Sequence, residues 1–160
     1  PSNGFANVQS YAAYYERVAP IVASFGVPVI TSGTSGKDLP WTATLAAILR
    51  AGTPRAPVSG YGFHPYGIAP ENMAQATFEV RRVAGTPAGE SPPPAYVTEI
   101  AQERAADLYA TIVDLARATP TMTLYEYLPQ PGEDPKYGLK NNPALYHAVL
   151  RAWVTLHPGG

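Results

Sequence analysis

Apolar residues recur at helical spacing over residues 8–25, with Val8, Tyr11, Tyr15 and Val18 on one face, and Gly26 closes the run. A β-branched stretch at 27–31 then leads into Ser32-Gly33-Thr34-Ser35-Gly36, which reads as a first strand and its loop. Helical periodicity returns over 38–51, with Asp38 as a cap and Trp41, Leu45, Ile48 and Leu49 as the apolar stripe. A second strand is predicted over 56–63, running into His64-Pro65-Tyr66-Gly67, and Pro70 opens a third helix that lasts to about Val83. Pro92 to Pro94 exclude a helix before the short apolar run Ala95-Tyr96-Val97, which ends in Thr98-Glu99-Ile100. Residues 102–118 carry Ala105, Leu108, Ile112 and Leu115 on one helical face, so Glu99 is expected at a strand-to-helix turn. A fourth strand follows at 121–128, then a polar loop to Asn142 and a closing helix at 143–156.

The order is one helix and then four strand-helix units of βαβ length, which predicts a parallel sheet. Four units cannot close an eight-stranded barrel. The chain is therefore either a small open α/β sheet or half of a barrel, in one domain spanning 1–160.

Composition narrows the function more than the fold. Eleven basic and 12 acidic residues give a formal net charge of -1 without charge blocks, so nothing marks a nucleic-acid or anionic-membrane partner. No run approaches the apolar length of a membrane span. The absence of cysteine excludes disulfides, thiol catalysis and cysteine-ligated metals, and leaves the compartment open. The glycine-rich loop at 32–36 lacks the Gly-Lys-Ser/Thr ending of a phosphate cradle and reads as a flexible connection.

Polar residues gather at one end of the strands: Ser32 and Thr34, then His64 and Tyr66, then Thr98 and Glu99, then Tyr125, Glu126 and Tyr127. In parallel α/β folds that is the edge where sites are built. Each residue also has a plainer explanation. Glu99 could complement the positive end of the following helix, and His64 and Tyr66 could form an aromatic turn packed between prolines.

The phrase Gly62-Phe63-His64-Pro65-Tyr66 is followed by Tyr96-Val97-Thr98-Glu99-Ile100, by Tyr125-Glu126-Tyr127-Leu128, and by Tyr137-Gly138-Leu139 ahead of Asn142-Pro143-Ala144-Leu145-Tyr146. This series resembles the C-terminal half of clan A retaining glycoside hydrolases, families 5 and 39 being the nearest. The resemblance implies strands five to eight of a (β/α)8 (TIM) barrel. It makes Glu99 the nucleophile, puts His64 and Tyr66 beside it, and gives Tyr125 or Tyr127 the place of an aromatic sugar platform. It implies a carbohydrate substrate, β-glycosidic bond hydrolysis with retention, no metal or cofactor, and a secreted or periplasmic setting.

Retaining hydrolysis needs a second carboxylate about 5–5.5 Å from the nucleophile. The resemblance places that acid/base glutamate just ahead of Pro1, so strands one to four and the general acid are expected outside this chain. Asp38, Glu71, Glu126 and Asp134 are the candidate substitutes within it, Glu126 first because it lies on the adjacent strand. A half barrel leaves two sheet edges and an inner face open, which calls for a second copy or a separate N-terminal half. The competing expectation is a non-catalytic sugar-binding or assembly module that keeps the tyrosines and His64 without a complete acid pair.

Overall fold

The computed structural model describes residues 5–85, 91–125, 136 and 138–159. Among these residues, helix α1 (Val8–Ala23) precedes β1 (Thr34–Ser35), α2 (Leu39–Ala51), β2 (Tyr61–His64), α3 (Met73–Ala84), β3 (Ala95–Ile100), α4 (Ala105–Leu115), β4 (Met122–Leu124) and α5 (Pro143–Leu156). Single 3₁₀ turns at Pro70–Asn72 and Leu139–Asn141 lead into α3 and α5.

The four strands form one parallel sheet in the order β1-β2-β3-β4. That order decides where the helices lie. Right-handed crossovers that always step to the next strand in the same direction put every connecting helix on the same face. A doubly wound sheet would instead reverse its order at a switch point. Each helix accordingly packs on its successor, α1 on α2 through to α4 on α5.

The core lies between that helix layer and one face of the sheet. Tyr61, Phe63, Ala95, Val97 and Ile100 project into it from the strands and meet Leu45, Leu49, Met73, Ala76, Val80 and Leu115. Phe63 is fully buried, which stabilises the fold by about 1.5–3 kcal/mol relative to exposure. A second cluster of Leu108, Ile112, Leu145, Ala148 and Ala152 joins α4 to α5.

Helix starts follow side-chain capping. Asn7 and Ser10 form a reciprocal box at α1, Asp38 accepts from Trp41 N at α2, and Asn142 accepts from Leu145 N at α5. The start of α3 is capped from a distance: Asp114 Oδ2, on α4, accepts from Ala74 N at 2.8 Å.

Several boundaries differ from the sequence expectation. Helix α1 stops at Ala23, and the chain turns at Gly26 with φ 75°. The first strand lies later than predicted: within 27–31 only Ile30 bridges to Gly60, and the paired strand is Thr34–Ser35, inside the segment expected to be loop. Loop hydrogen bonds, Ser59 N to Val29 O and Thr31 N to Gly60 O, hold the earlier stretch alongside its neighbour. Helix α4 begins at Ala105 and not at Gln102, and β4 covers Met122–Leu124 of the 121–128 expected, of which 126–128 lie outside the described residues. The face of α1 is centred on Tyr11, Ala12, Tyr15 and Ala19, with Val8 and Val18 at its margin.

Candidate functional site

At the C-terminal end of β2 and β3, three side chains that the sequence separates by up to 35 positions meet. Tyr66 Oη donates to Glu99 Oε1 at 2.7 Å, and His64 Nδ1 stands 3.0 Å from Glu99 Oε2. Both carboxylate oxygens are thus occupied, one by each partner. The imidazole and phenol rings lie edge to face, with centroids 6.1 Å apart.

Local chain geometry explains the pair on β2. His64 is the last residue of the strand, and Tyr66 N donates to His64 O at 2.8 Å, closing a three-residue turn about Pro65. Proline pre-sets φ for such a turn, and Gly67 supplies the left-handed residue, at φ 74°, that leads the chain away. Two residues of one short turn therefore reach one carboxylate.

Glu99 reaches them because β3 is irregular. Val97 pairs with Met122 and Ile100 with Leu124, so three steps along β3 match two along β4. Simple alternation would put Val97 and Glu99 on the same face. The bulge lets Val97 and Ile100 both enter the helix-side core while Glu99 meets the His64 ring on the opposite side and Thr98 Oγ1 lies on that side too, beside Gly33.

Small residues make the floor. Gly33, on the approach to β1, is buried, and a Cβ there would collide with His64 Nε2 and Cδ2 and with Thr98 Oγ1. Gly62 carries the adjacent strand past Thr31 and Gly33, where a Cβ would stand 2.6 Å from Thr31 O and 3.1 Å from Gly33 N. Thr98 Oγ1 and Thr34 Oγ1 are buried without a hydrogen-bond partner.

The expected residues divide as follows. His64, Tyr66 and Glu99 converge. Tyr125 lies just past β4, its N–H bonded to Ile100 O, which brings its backbone alongside the end of β3. Tyr127, Glu126, Asp134 and Tyr137 lie outside the described residues. Asp38 serves as the α2 cap, and Glu71 is exposed on the 3₁₀ turn before α3. Glu99 does not adjoin a helix start, since five residues separate it from α4; its carboxylate is engaged by Tyr66 and His64 instead. Ser32 N donates to Tyr11 Oη at 2.6 Å, so that strand tip is tied to α1.

Several tyrosines serve packing. Tyr11, Tyr15 and Tyr61 are buried in the core, and burial raises the pKa of each phenol above its ordinary value. Among the described residues no cluster of three or more His, Asp or Glu side chains is arranged to hold a metal ion, and no helix is long and apolar enough to cross a membrane. What sequence reading missed is Gly33 and the bulge at Thr98–Glu99. A glycine two residues past a β-branched run is the only trace the first leaves in the sequence, and the second leaves none.

Compared with known proteins, the chain matches no family model and no curated protein.

Proposed function

We propose that the chain is the C-terminal half of a (β/α)8 barrel of the retaining glycoside hydrolase type, with Glu99 as the nucleophile toward a β-glycoside. The observation that carries this reading is the carboxylate of Glu99 held on both oxygens by Tyr66 and His64 at the C-terminal edge of a parallel sheet. Tyr66 Oη donates to one oxygen of the carboxylate and His64 Nδ1 stands beside the other, so the attacking group is held in one orientation. The sequential strand order supports barrel curvature over a doubly wound sheet, because all crossovers fall on one face. The other face is left to the site.

In the reaction, a Glu99 oxygen attacks the anomeric carbon as the bond to the leaving oxygen breaks, giving a glycosyl ester. Water then cleaves that ester and restores the carboxylate, with overall retention. Tyr66 and His64 fix the carboxylate's orientation. Four further βα units complete the barrel and bring the general acid. An N-terminal half supplies both; a second copy of the chain supplies the four units alone and brings a second Glu99 in place of the acid.

An aryl β-glycoside with a strongly activated phenol leaving group tests the nucleophile alone, since such a phenolate departs with little acid assistance. Turnover by the chain that disappears in Glu99→Ala is the expected result. Turnover that persists unchanged in that variant overturns the assignment.

A further inference from the structure

We infer that Thr98 and Gly33 are positioning residues for His64: the Thr98 hydroxyl donates to His64 Nε2, and Gly33 leaves the space in which the two meet, so that the ring presents Nδ1–H to Glu99. This inference rests on the reading of Glu99 as the working carboxylate.

The chemistry starts at the far side of the ring. An ionised carboxylate only accepts hydrogen bonds, so His64 Nδ1, 3.0 Å from Glu99 Oε2, must carry the proton of that contact. A neutral imidazole has one donor and one acceptor nitrogen, and the acceptor is then Nε2. If the tautomer were reversed, a nitrogen lone pair would face a carboxylate oxygen. Whatever sits beside Nε2 therefore sets how well His64 serves Glu99.

Two features sit there. An ideal Cβ on Gly33 would overlap His64 Nε2, His64 Cδ2 and Thr98 Oγ1 together, so all three atoms crowd one position. Thr98 Oγ1 is buried and without a hydrogen-bond partner, a state that native structures seldom leave uncompensated. The two atoms are not hydrogen-bonded in the structure, and a rotation of the Thr98 side chain that brings Oγ1 within reach of Nε2 satisfies both groups. The proton comes from the hydroxyl, since Nε2 has none to give in this tautomer.

Gly33 is needed for space and not for backbone freedom. Its φ lies outside the left-handed region occupied by Gly26, Gly36, Gly67 and Gly85. The bulge in β3 makes the arrangement possible by turning consecutive residues to one side of the sheet, with Glu99 at Nδ1 and Thr98 on the Gly33 side of the ring, where Nε2 lies.

The readout is the tautomer of His64 in the full chain carrying ¹⁵N-labelled histidine. The chain has 3 histidines, so His147 and His157 serve as internal references. The expected spectrum shows His64 as Nδ1–H. Thr98→Val, which keeps the side-chain shape and removes the donor, should lower the ratio of Nδ1–H to Nε2–H about fivefold, the weight of one net hydrogen bond. Thr98→Ser should restore it. In the aryl glycoside assay Thr98→Val should lower kcat and leave KM unchanged. Gly33→Ala should move the His64 signals while the other two stay in place.

A wild-type His64 in the Nε2–H form, or a Thr98→Val spectrum identical to wild type, overturns the inference. If Gly33→Ala does not fold, the Thr98 pair decides. The tautomer is read without turnover, so a chain that hydrolyses nothing would count against the glycosidase reading and not against the role of Thr98.

Discussion

Tyr66 Oη and Glu99 Oε1 are joined at 2.7 Å across 33 positions of sequence, and the bond depends on a turn in one strand and a bulge in the next. The bulge serves packing as well, since it lets Val97 and Ile100 both enter the core. Together the turn and the bulge hold one carboxylate in a fixed orientation toward the open side of the sheet.

Tyr66→Phe should therefore cost activity and little stability. A hydrogen bond to a charged group contributes about 1.5–3 kcal/mol, and partial exposure of this carboxylate puts the effect at the low end, about tenfold in kcat/KM. Tyr66 is 36% exposed, so the melting temperature should barely change. Unaltered kcat/KM on an activated aryl β-glycoside would detach Tyr66 from the chemistry.

Gly62→Ala addresses the floor of the site. The added Cβ meets backbone on two sides, Thr31 O and Gly33 N, and backbone cannot swing aside as a side chain can. Overpacking of this kind costs about 1–3 kcal/mol, which lowers Tm by several degrees. A thermal melt equal to wild type would mean that β1 and β2 shift apart without strain.

Residue type and spacing carried much of this fold. Closing helix 143–156 is visible as a capped apolar period, and its observed bounds are Pro143–Leu156. Helical stripes at Leu45 and Leu49, and at Leu108, Ile112 and Leu115, are buried as their spacing predicts. The strands were harder, because a parallel strand is fixed by pairing with a distant neighbour and not by its own residues. Thr34 and Ser35 pair with Phe63 and His64 although the β-branched run lies before them. Convergence of His64, Tyr66 and Glu99 was legible from order along the chain. The face on which Glu99 lies was not, since alternation through Tyr96-Val97-Thr98-Glu99 points it the wrong way and only pairing with β4 reveals the bulge. Asp114 as the cap of α3 was equally hidden, being 40 residues from the amide it accepts.

Alkaline pH should destabilise the chain through its buried phenols. Desolvation raises the Tyr15 pKa well above its ordinary 10.0, with Tyr11 and Tyr61 as neighbours adding to the effect. The folded state thus favours the neutral phenol more than the unfolded state does. Its contribution is complete below about pH 10 and is lost as pH rises from there toward the folded value. Tyr15→Phe also removes hydrogen bonds to Pro57 O and Val29 O, so it should lower stability near neutrality by about 1 kcal/mol yet flatten the decline above pH 10. Urea midpoints measured between pH 8 and pH 11 check this; parallel curves for the two proteins would contradict it.

Self-association should follow from the two ends of the helix layer. Among the described residues, the inner α-helices each have an α-helical neighbour on both sides, whereas α1 packs chiefly on α2 and α5 chiefly on α4. The exposed apolar side chains concentrate there: Tyr14, Ile21 and Phe25 on and just after α1, and Leu150, Trp153 and Val154 on α5, with Phe25 78% and Trp153 63% exposed. Strands β1 and β4, at the two ends of the sheet order, likewise have one paired edge each among the described residues. Exposed apolar surface next to an open strand edge favours pairing with a like surface. In a closed ring of two copies, α1 of one meets α5 of the other, and both interfaces form at once. Light scattering should accordingly give a mass above the 17.0 kDa of one chain that falls on dilution. Trp153→Glu should shift the distribution toward the single chain, because a charge in that contact is buried without a partner. A mass of one chain at every concentration, with no binding of a hydrophobic dye, would refute the need for a complementary half.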